Sequence, residues 1–245
     1  MKYLFLTMAS ITAFSSLQAQ QPQGDPKATE VWTPVPKIID AGSATKAPSD
    51  AIVLFDGKDL SQWENAKTGA PAEWTVAGGA ITVKPKAGDI KTKEKFGDIQ
   101  LHIEWRTPTT ITGDGQGRGN SGIFFQEKYE LQVLDNFNNV TYSNGQAGSI
   151  YKQHIPLVNA SRKPGEWQTY DAIFTAPRFN EDGSLASPAR ITVLHNGVLV
   201  QNNVELKGGT EYIGLPKYTK HGDGSIELQD HGNLVSFRNI WVRKL

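Results

Sequence analysis

The chain has 245 residues, with 25 Lys plus Arg against 25 Asp plus Glu and no cysteine. Zero net charge removes the long-range field that would draw nucleic acid or an anionic membrane surface. The missing thiols exclude disulfides, Cys-ligated zinc, iron–sulfur clusters and thiol nucleophiles. With 24 Gly, 13 Pro and 38% hydrophobic residues, short strands and turns are expected in place of long helices.

The N-terminus carries Lys2, an apolar run from Tyr3 to Phe14, and then Ser15, Ser16, Leu17, Gln18 and Ala19. Residues 1–19 are expected to be a secretory signal, too short to span a bilayer, so the mature protein is expected to be exported, periplasmic or extracellular, and soluble. Residues 20–50 shift to Gln, Pro, Ala, Ser and Thr and form a Pro-rich leader. Its apolar stretch from Val31 through Ile39 is expected to lie extended as an edge segment, where Pro34 and Pro36 remove no ladder bond.

Residues 51–245 read as one domain of alternating strands. Ile99–Arg106 puts Ile99, Leu101, Ile103 and Trp105 on one face and Gln100, His102, Glu104 and Arg106 on the other. Tyr129–Val133 and Ile226–Gln229 alternate in the same way, with Glu130, Gln132, Glu227 and Gln229 on the polar side. Asn196-Gly197 between two apolar runs predicts a type I′ hairpin. Further strands are expected at 52–55, 74–76, 80–83, 122–125, 167–176 and 235–242. About a dozen short strands without helices imply two packed antiparallel sheets of jelly-roll type. Trp63, Trp74, Trp105, Trp167 and Trp241 are expected in the core.

Carboxylates are the natural place for chemistry. Glu104, with His102 and Arg106, and Glu130, with Gln132, are expected on neighbouring strands, where repulsion and partial burial would separate an acid from a base. Asp135 ends its strand and is placed to reach a cleft, while Asn136 and Asn138 suit a turn. The run Gly113–Gly119 lacks the Lys-Ser/Thr ending of a phosphate loop and reads as a lid or plain loop, followed by the polar Asn120 and Ser121. No His pair has zinc-protease spacing. His195, before the hairpin turn, is expected to be structural, and His231, beside Asp230, is the best placed for proton transfer. No cofactor is required by the sequence, although Glu130 and Asp135 would suit a divalent cation such as calcium.

Five segments occur in order: Val53–Trp63 (VLFDGKDLSQW), Asn120–Phe125 (NSGIFF), Tyr129–Asp135 (YELQVLD), Gly165–Trp167 (GEW) and Leu228–Trp241, which opens LQDHG and closes FRNIW. Together they resemble the 3-keto-disaccharide hydrolase domain family of secreted Bacteroidetes proteins. The resemblance implies a concanavalin A-like or laminin G-like jelly roll acting on glycosides oxidised to a ketone at C3. Carried onto this chain, it implies Glu130, Glu104 and His231 as catalytic, and Arg106, Asn120, Gln132, Asp135, Gln229 and Lys152 as substrate-binding. A ketone at C3 acidifies the C2 proton, so a base can start an elimination at C1, with water adding afterwards. The expected partner is a small sugar or oligosaccharide. A non-catalytic carbohydrate-binding module is the alternative, because this fold type does not fix function.

Overall fold

The computed structural model describes residues 24–245, and the expected signal segment lies outside the described residues. The chain divides into two units at Ile38/Ile39. Within the first, Pro26–Thr29 forms a 3-10 turn whose Lys27 N–H donates to the Asp25 side chain at 3.0 Å. No strand covers residues 31–39, and Val31, Trp32, Val35 and Ile38 are exposed. Pro34 and Pro36, which lack N–H groups, leave that backbone few donors for a ladder.

The second unit is all β, and among the described residues no helix is long and apolar enough to cross a membrane. In chain order its strands are β1 (Ile52–Phe55), β2 (Trp63–Asn65), β3 (Thr75–Ala77), β4 (Ala80–Thr82), β5 (Ile90–Thr92), β6 (Ile99–Arg106), β7 (Ser121–Phe125) and β8 (Tyr129–Val133). There follow β9 (Gln168–Thr175), β10 (Arg178–Phe179), β11 (Leu185–Ser187), β12 (Arg190–His195), β13 (Val198–Glu205), β14 (Glu227–Leu228) and β15 (Ser236–Lys244). Eight strands form one sheet in the order β13-β12-β9-β6-β15-β4-β3, with β1 also on β15, and five form the other, β2-β5-β14-β7-β8. All pairings within these two sheets are antiparallel, as expected for a jelly-roll sandwich.

The core lies between the sheets. From β6 and β9 come Leu101, Ile103, Trp105, Tyr170, Ala172 and Phe174; from β7 and β8 come Ile123, Phe125, Tyr129, Leu131 and Val133, all buried. Phe125 stacks on Phe174 at 4.9 Å, and the Tyr170 hydroxyl donates to the Gln132 carbonyl at 2.8 Å, tying β9 to β8. Because these residues face inward, the intervening ones on each strand face outward, and the two sheets carry separate polar faces. The β12–β13 hairpin turns through Asn196 (φ 54°) and Gly197 (φ 79°), the left-handed pair expected of a type I′ turn.

His195 is buried and donates from Nε2 to Gln168 Oε1 at 2.9 Å; burial lowers its pKa to about 3, so it is a neutral structural ring. Trp63, Trp74 and Trp105 are buried in the core; Trp241 is instead buried against His102 on the outer face of the eight-stranded sheet, and Trp167 is not in the core: its half-buried ring carries the Arg106 and Arg238 guanidinium groups at 4.6 and 4.1 Å from its centroid.

Candidate active site

The five-stranded sheet presents a polar face opposite its core face. Register places Glu130 of β8 beside Phe124 of β7, Phe124 beside Glu227 of β14, Glu227 beside Lys91 of β5, and Lys91 beside Glu64 of β2. Directly paired residues share a face, so these five form one row across the sheet. In the next row Gln132 faces Gly122, and Gln229 donates its N–H to the Gly122 carbonyl at 3.0 Å. Gly122 supplies room: a Cβ there would lie 2.7 Å from Glu130 Oε1, so the carboxylate occupies the space a side chain would fill.

Above this floor opens a cleft of about 680 Å³, lined by Gln116, Asn120, Phe124, Glu130, Gln132, Tyr142, Tyr151, Lys152, Thr210, Tyr212, Gln229 and His231. Such a volume suits a small saccharide. Loops form its walls, and each is held to the sheet. The 148–151 segment runs along β8, with Gln132 N–H donating to the Ser149 carbonyl at 3.0 Å and Tyr151 N–H to the Glu130 carbonyl at 3.1 Å. The glycine-rich loop is a plain, anchored loop. Arg118 Nε donates to Asp135 at 2.7 Å, and the Gln116 amide donates to Thr141 Oγ1 and the Gly145 carbonyl, each at 2.9 Å. Gln132 Nε2 donates in turn to Gln116 Oε1 at 3.2 Å and Asn120 Oδ1 at 3.3 Å. The His231 turn is fixed by Asp230 N–H donating to Asp89 at 2.6 Å and Gly88 N–H donating to Asp230 at 3.1 Å. Lys152, at φ 58°, donates to the Tyr212 carbonyl and sits 4.3, 5.6 and 5.9 Å from the rings of Tyr212, Tyr151 and Tyr142.

Two features mark this cleft as chemically charged. Glu130 is buried, and no described residue donates a hydrogen bond to its carboxylate; burial, reinforced by the negative charge of Asp89, pushes its pKa up to about 8. Behind it, Glu227 is raised to about 7 by burial and then by Asp89 and Glu127, and its carboxyl shares a hydrogen bond with Asp89. Lys91 opposes that rise while bonding Glu127 at 2.9 Å. The second feature is a pair of unsatisfied acceptors: Gln132 Oε1 and Gln229 Oε1 are buried without a donor. Buried acceptors of this kind want hydroxyl donors.

Six sequence-predicted residues, Asn120, Glu130, Gln132, Lys152, Gln229 and His231, line this cleft, with His231 exposed at its rim. Three do not. Glu104 is not on a strand next to Glu130: β6 pairs with β9 and β15 in the other sheet, and Glu104 points outward from that sheet, away from the core. It is held by Arg238 Nε at 2.6 Å and Asn239 Nδ2 at 2.9 Å, which both reach it because β15 bulges at Asn239 (φ 47°). Arg106 lies on the same outer face over Trp167 and has no carboxylate partner among the described residues, so it neither pairs with Glu104 nor reaches the cleft. His102 there donates from Nδ1 to the Asp171 carboxylate at 2.6 Å and stacks on Trp241.

Asp135 is buried and consumed by Arg118 and the Phe137 N–H, and lines a neighbouring cleft, so it shares no cation site with Glu130. Among the described residues no three His, Asp or Glu side chains gather to hold a metal ion. Sequence reasoning missed Gln116, Tyr142, Tyr151, Tyr212 and Asp89, which lie on loops or beside short strands with no periodicity. Glu227 carried a signal, its alternation with Ile226 and Leu228.

Known proteins resemble this chain in sequence and in fold. Residues 50–243 match the family described as the 3-keto-alpha-glucoside-1,2-lyase-like domain. A Bacteroides thetaiotaomicron protein named 3-keto-disaccharide hydrolase is 26% identical, with 100% of both chains covered. A crystal structure from Parabacteroides distasonis, provisionally assigned as a glycosyl hydrolase, is 57% identical with a TM-score of 0.87, covering 90% of this chain and 97% of that one. Another from the same organism, similarly assigned, has 24% identity and a TM-score of 0.56, covering 80% and 99%, and shows likeness of fold.

Proposed function

We propose, on the premise that this chain belongs to the 3-keto-alpha-glucoside-1,2-lyase-like domain family, that it is an exported enzyme cleaving glycosides whose sugar carries a ketone at C3. The observation that carries the reading is Glu130: a buried carboxylate on a rigid strand, without a hydrogen-bond donor among the described residues and with a pKa raised to about 8, on the floor of a saccharide-sized cleft. The burial that makes its ionisation costly also makes it a stronger base once ionised.

Glu130 takes the C2 proton, and the C2–H electron pair passes into an enolate whose charge rests on the C3 oxygen. The enolate then re-forms the ketone and expels the C1 substituent, leaving a C1–C2 double bond. The departing oxygen takes a proton from His231 or Lys152, both of which line the cleft. Water adding across the double bond, hydroxyl at C1 and proton at C2, completes a net hydrolysis. Gln132 and Gln229, each with an unpaired amide oxygen, accept from sugar hydroxyls.

Ordinary glycoside hydrolysis uses two carboxylates about 5–9.5 Å apart across the scissile bond. The described cleft lining contains one carboxylate, which favours elimination from an activated sugar over that mechanism. A purely binding module has no use for a base held in this state.

The test is release of reducing sugar from a 3-keto-disaccharide and from its unoxidised parent, alongside C2 hydrogen exchange in heavy water. Wild-type protein should release sugar from the ketone alone and exchange C2, while a folded Glu130→Gln variant should do neither. Release from the unoxidised parent at a similar rate, or full turnover by Glu130→Gln, would make the proposal wrong.

A further inference from the structure

The hydroxyls of Tyr142 and Tyr151 lie 2.6 Å apart and form one hydrogen bond. Each phenol owns one proton, and one bond uses one proton. No other hydrogen bond to either hydroxyl is found among the described residues, so one phenolic O–H is left to donate elsewhere. Both residues line the cleft. Tyr151 is the buried member at 9% exposure, while Tyr142 is 40% exposed. The 148–151 segment runs beside β8, with Tyr151 N–H bonded to the Glu130 carbonyl at 3.1 Å, so this phenol is carried on the residue next to the base in the sheet's hydrogen-bonding direction. Lys152 places its ammonium 5.6 Å from the Tyr151 ring.

We propose that Tyr151, polarised by Tyr142, is a catalytic residue that donates a hydrogen bond to the C3 carbonyl oxygen of the substrate and stabilises the enolate that forms there. This rests on the reading of the cleft as a site of C2 deprotonation. When Tyr142 donates to Tyr151, the Tyr151 proton is free for the ketone, and the shared bond strengthens as negative charge grows on the far oxygen. The enolate is formed by transfer of the C2 proton to Glu130; Tyr151 keeps its own proton throughout and serves as an oxyanion donor. Its phenol is held above the ordinary tyrosine range chiefly by burial, with the negative charge of Glu130 adding to it, so it stays a neutral donor at neutral pH. The Lys152 ammonium adds positive potential on the same side.

The experiment compares wild type, Tyr151→Phe and Tyr142→Phe on one 3-keto-disaccharide, reading C2 exchange in heavy water, sugar release, kcat and KM, with circular dichroism for folding. Loss of an oxyanion donor typically costs about 10²–10³-fold in rate. Tyr151→Phe should therefore slow exchange and release together by that factor, with KM changed only a few-fold. Tyr142→Phe, which leaves the Tyr151 proton in place but removes its polarising partner, should lose about tenfold. Exchange at the wild-type rate in folded Tyr151→Phe overturns the proposal, and so does normal exchange with release abolished, which would make the hydroxyl a donor to the leaving oxygen. If Tyr151→Phe does not fold, unchanged exchange in Tyr142→Phe overturns it. Failure of the wild type itself to exchange or release sugar refutes the proposed function, a separate outcome.

Discussion

Gly122→Ala tests whether the floor of the cleft is built around the base. The new methyl would lie 2.7 Å from Glu130 Oε1, 2.9 Å from Phe124 Cε2 and 3.1 Å from Glu130 Cγ. Ordinary contact begins at 3.4 Å, so the carboxylate must retreat by about 0.7 Å, the difference between 3.4 and 2.7, or the Phe124 ring must swing aside. No left-handed backbone is involved at Gly122, so the effect comes from contact and not from strain. Overpacking of this kind costs about 1–3 kcal/mol, partly offset by the roughly 0.5–1 kcal/mol that a strand gains on losing a glycine. The effect on catalysis is larger, because a shift near 1 Å at a reacting group can cost about 10²-fold. The expected result is a roughly 10- to 100-fold fall in kcat on a 3-keto-disaccharide, with only a modest change in melting temperature. Gly222→Ala, where a Cβ meets nothing within 4 Å, is the control. If Gly122→Ala kept kcat within twofold of wild type, Glu130 would not be the group whose position limits the reaction.

The remaining predictions concern charge. With Glu130 as base, kcat/KM should rise with pH up to about 8, and Asp89→Asn should move that rise to lower pH, because it removes the negative charge that reinforces burial; an unmoved limb would show that Asp89 does not act on the base. Stability should follow the opposite course. Between the carboxyl's ordinary value of 4.5 and its folded value of about 8, the native state holds a proton that the unfolded chain has released, so stability falls as pH rises through that window and levels off above it. Glu130→Gln should flatten the slope and be more stable than wild type at pH 9 by on the order of a few kcal/mol, read by urea denaturation at pH 5 and 9. Glu104→Gln, which weakens the hold on Arg238 and Asn239, should cost about 1–3 kcal/mol of stability while leaving turnover per folded molecule unchanged; lost turnover in the folded variant would return Glu104 to the catalytic set.

Strands long enough to alternate were legible before any coordinates. Ile99–Arg106 and Tyr129–Val133 have the bounds that their period implies, and Asn196-Gly197 fixed its hairpin. The strands that were missed, β2, β5, β10 and β11, have only two or three residues, too few for a period of two to register. Sequence order could not say which polar faces look at one another. Glu104 and Glu130 each sit on the polar side of a strand, yet β6 and β8 belong to different sheets, and the faces carrying the two carboxylates point away from opposite sides of the core. Spacing along the chain also could not reveal Tyr142 and Tyr151, because their meeting depends on the 148–151 segment doubling back along β8. The outer cluster of His102, Glu104 and Arg106 looked chemical from its composition. Its ring stacks and the bulge at Asn239 use those same groups to hold strands and a tryptophan in place.

The location of Glu130 in mid-strand has a consequence for redesign. The base stands in a strand paired with β7 and is held further by its N–H to Thr210 Oγ1 and its carbonyl to the Tyr151 N–H, whereas the side chains of Gln116 and Tyr212 project from connections between strands. Such connections tolerate changes of length and sequence far better than a sheet interior does. Changing those two wall residues, and not Tyr142, Lys152, Thr210 or His231, should therefore alter which aglycone is accepted while the deprotonating centre keeps its geometry, so the scaffold divides into a fixed chemical step and an interchangeable filter.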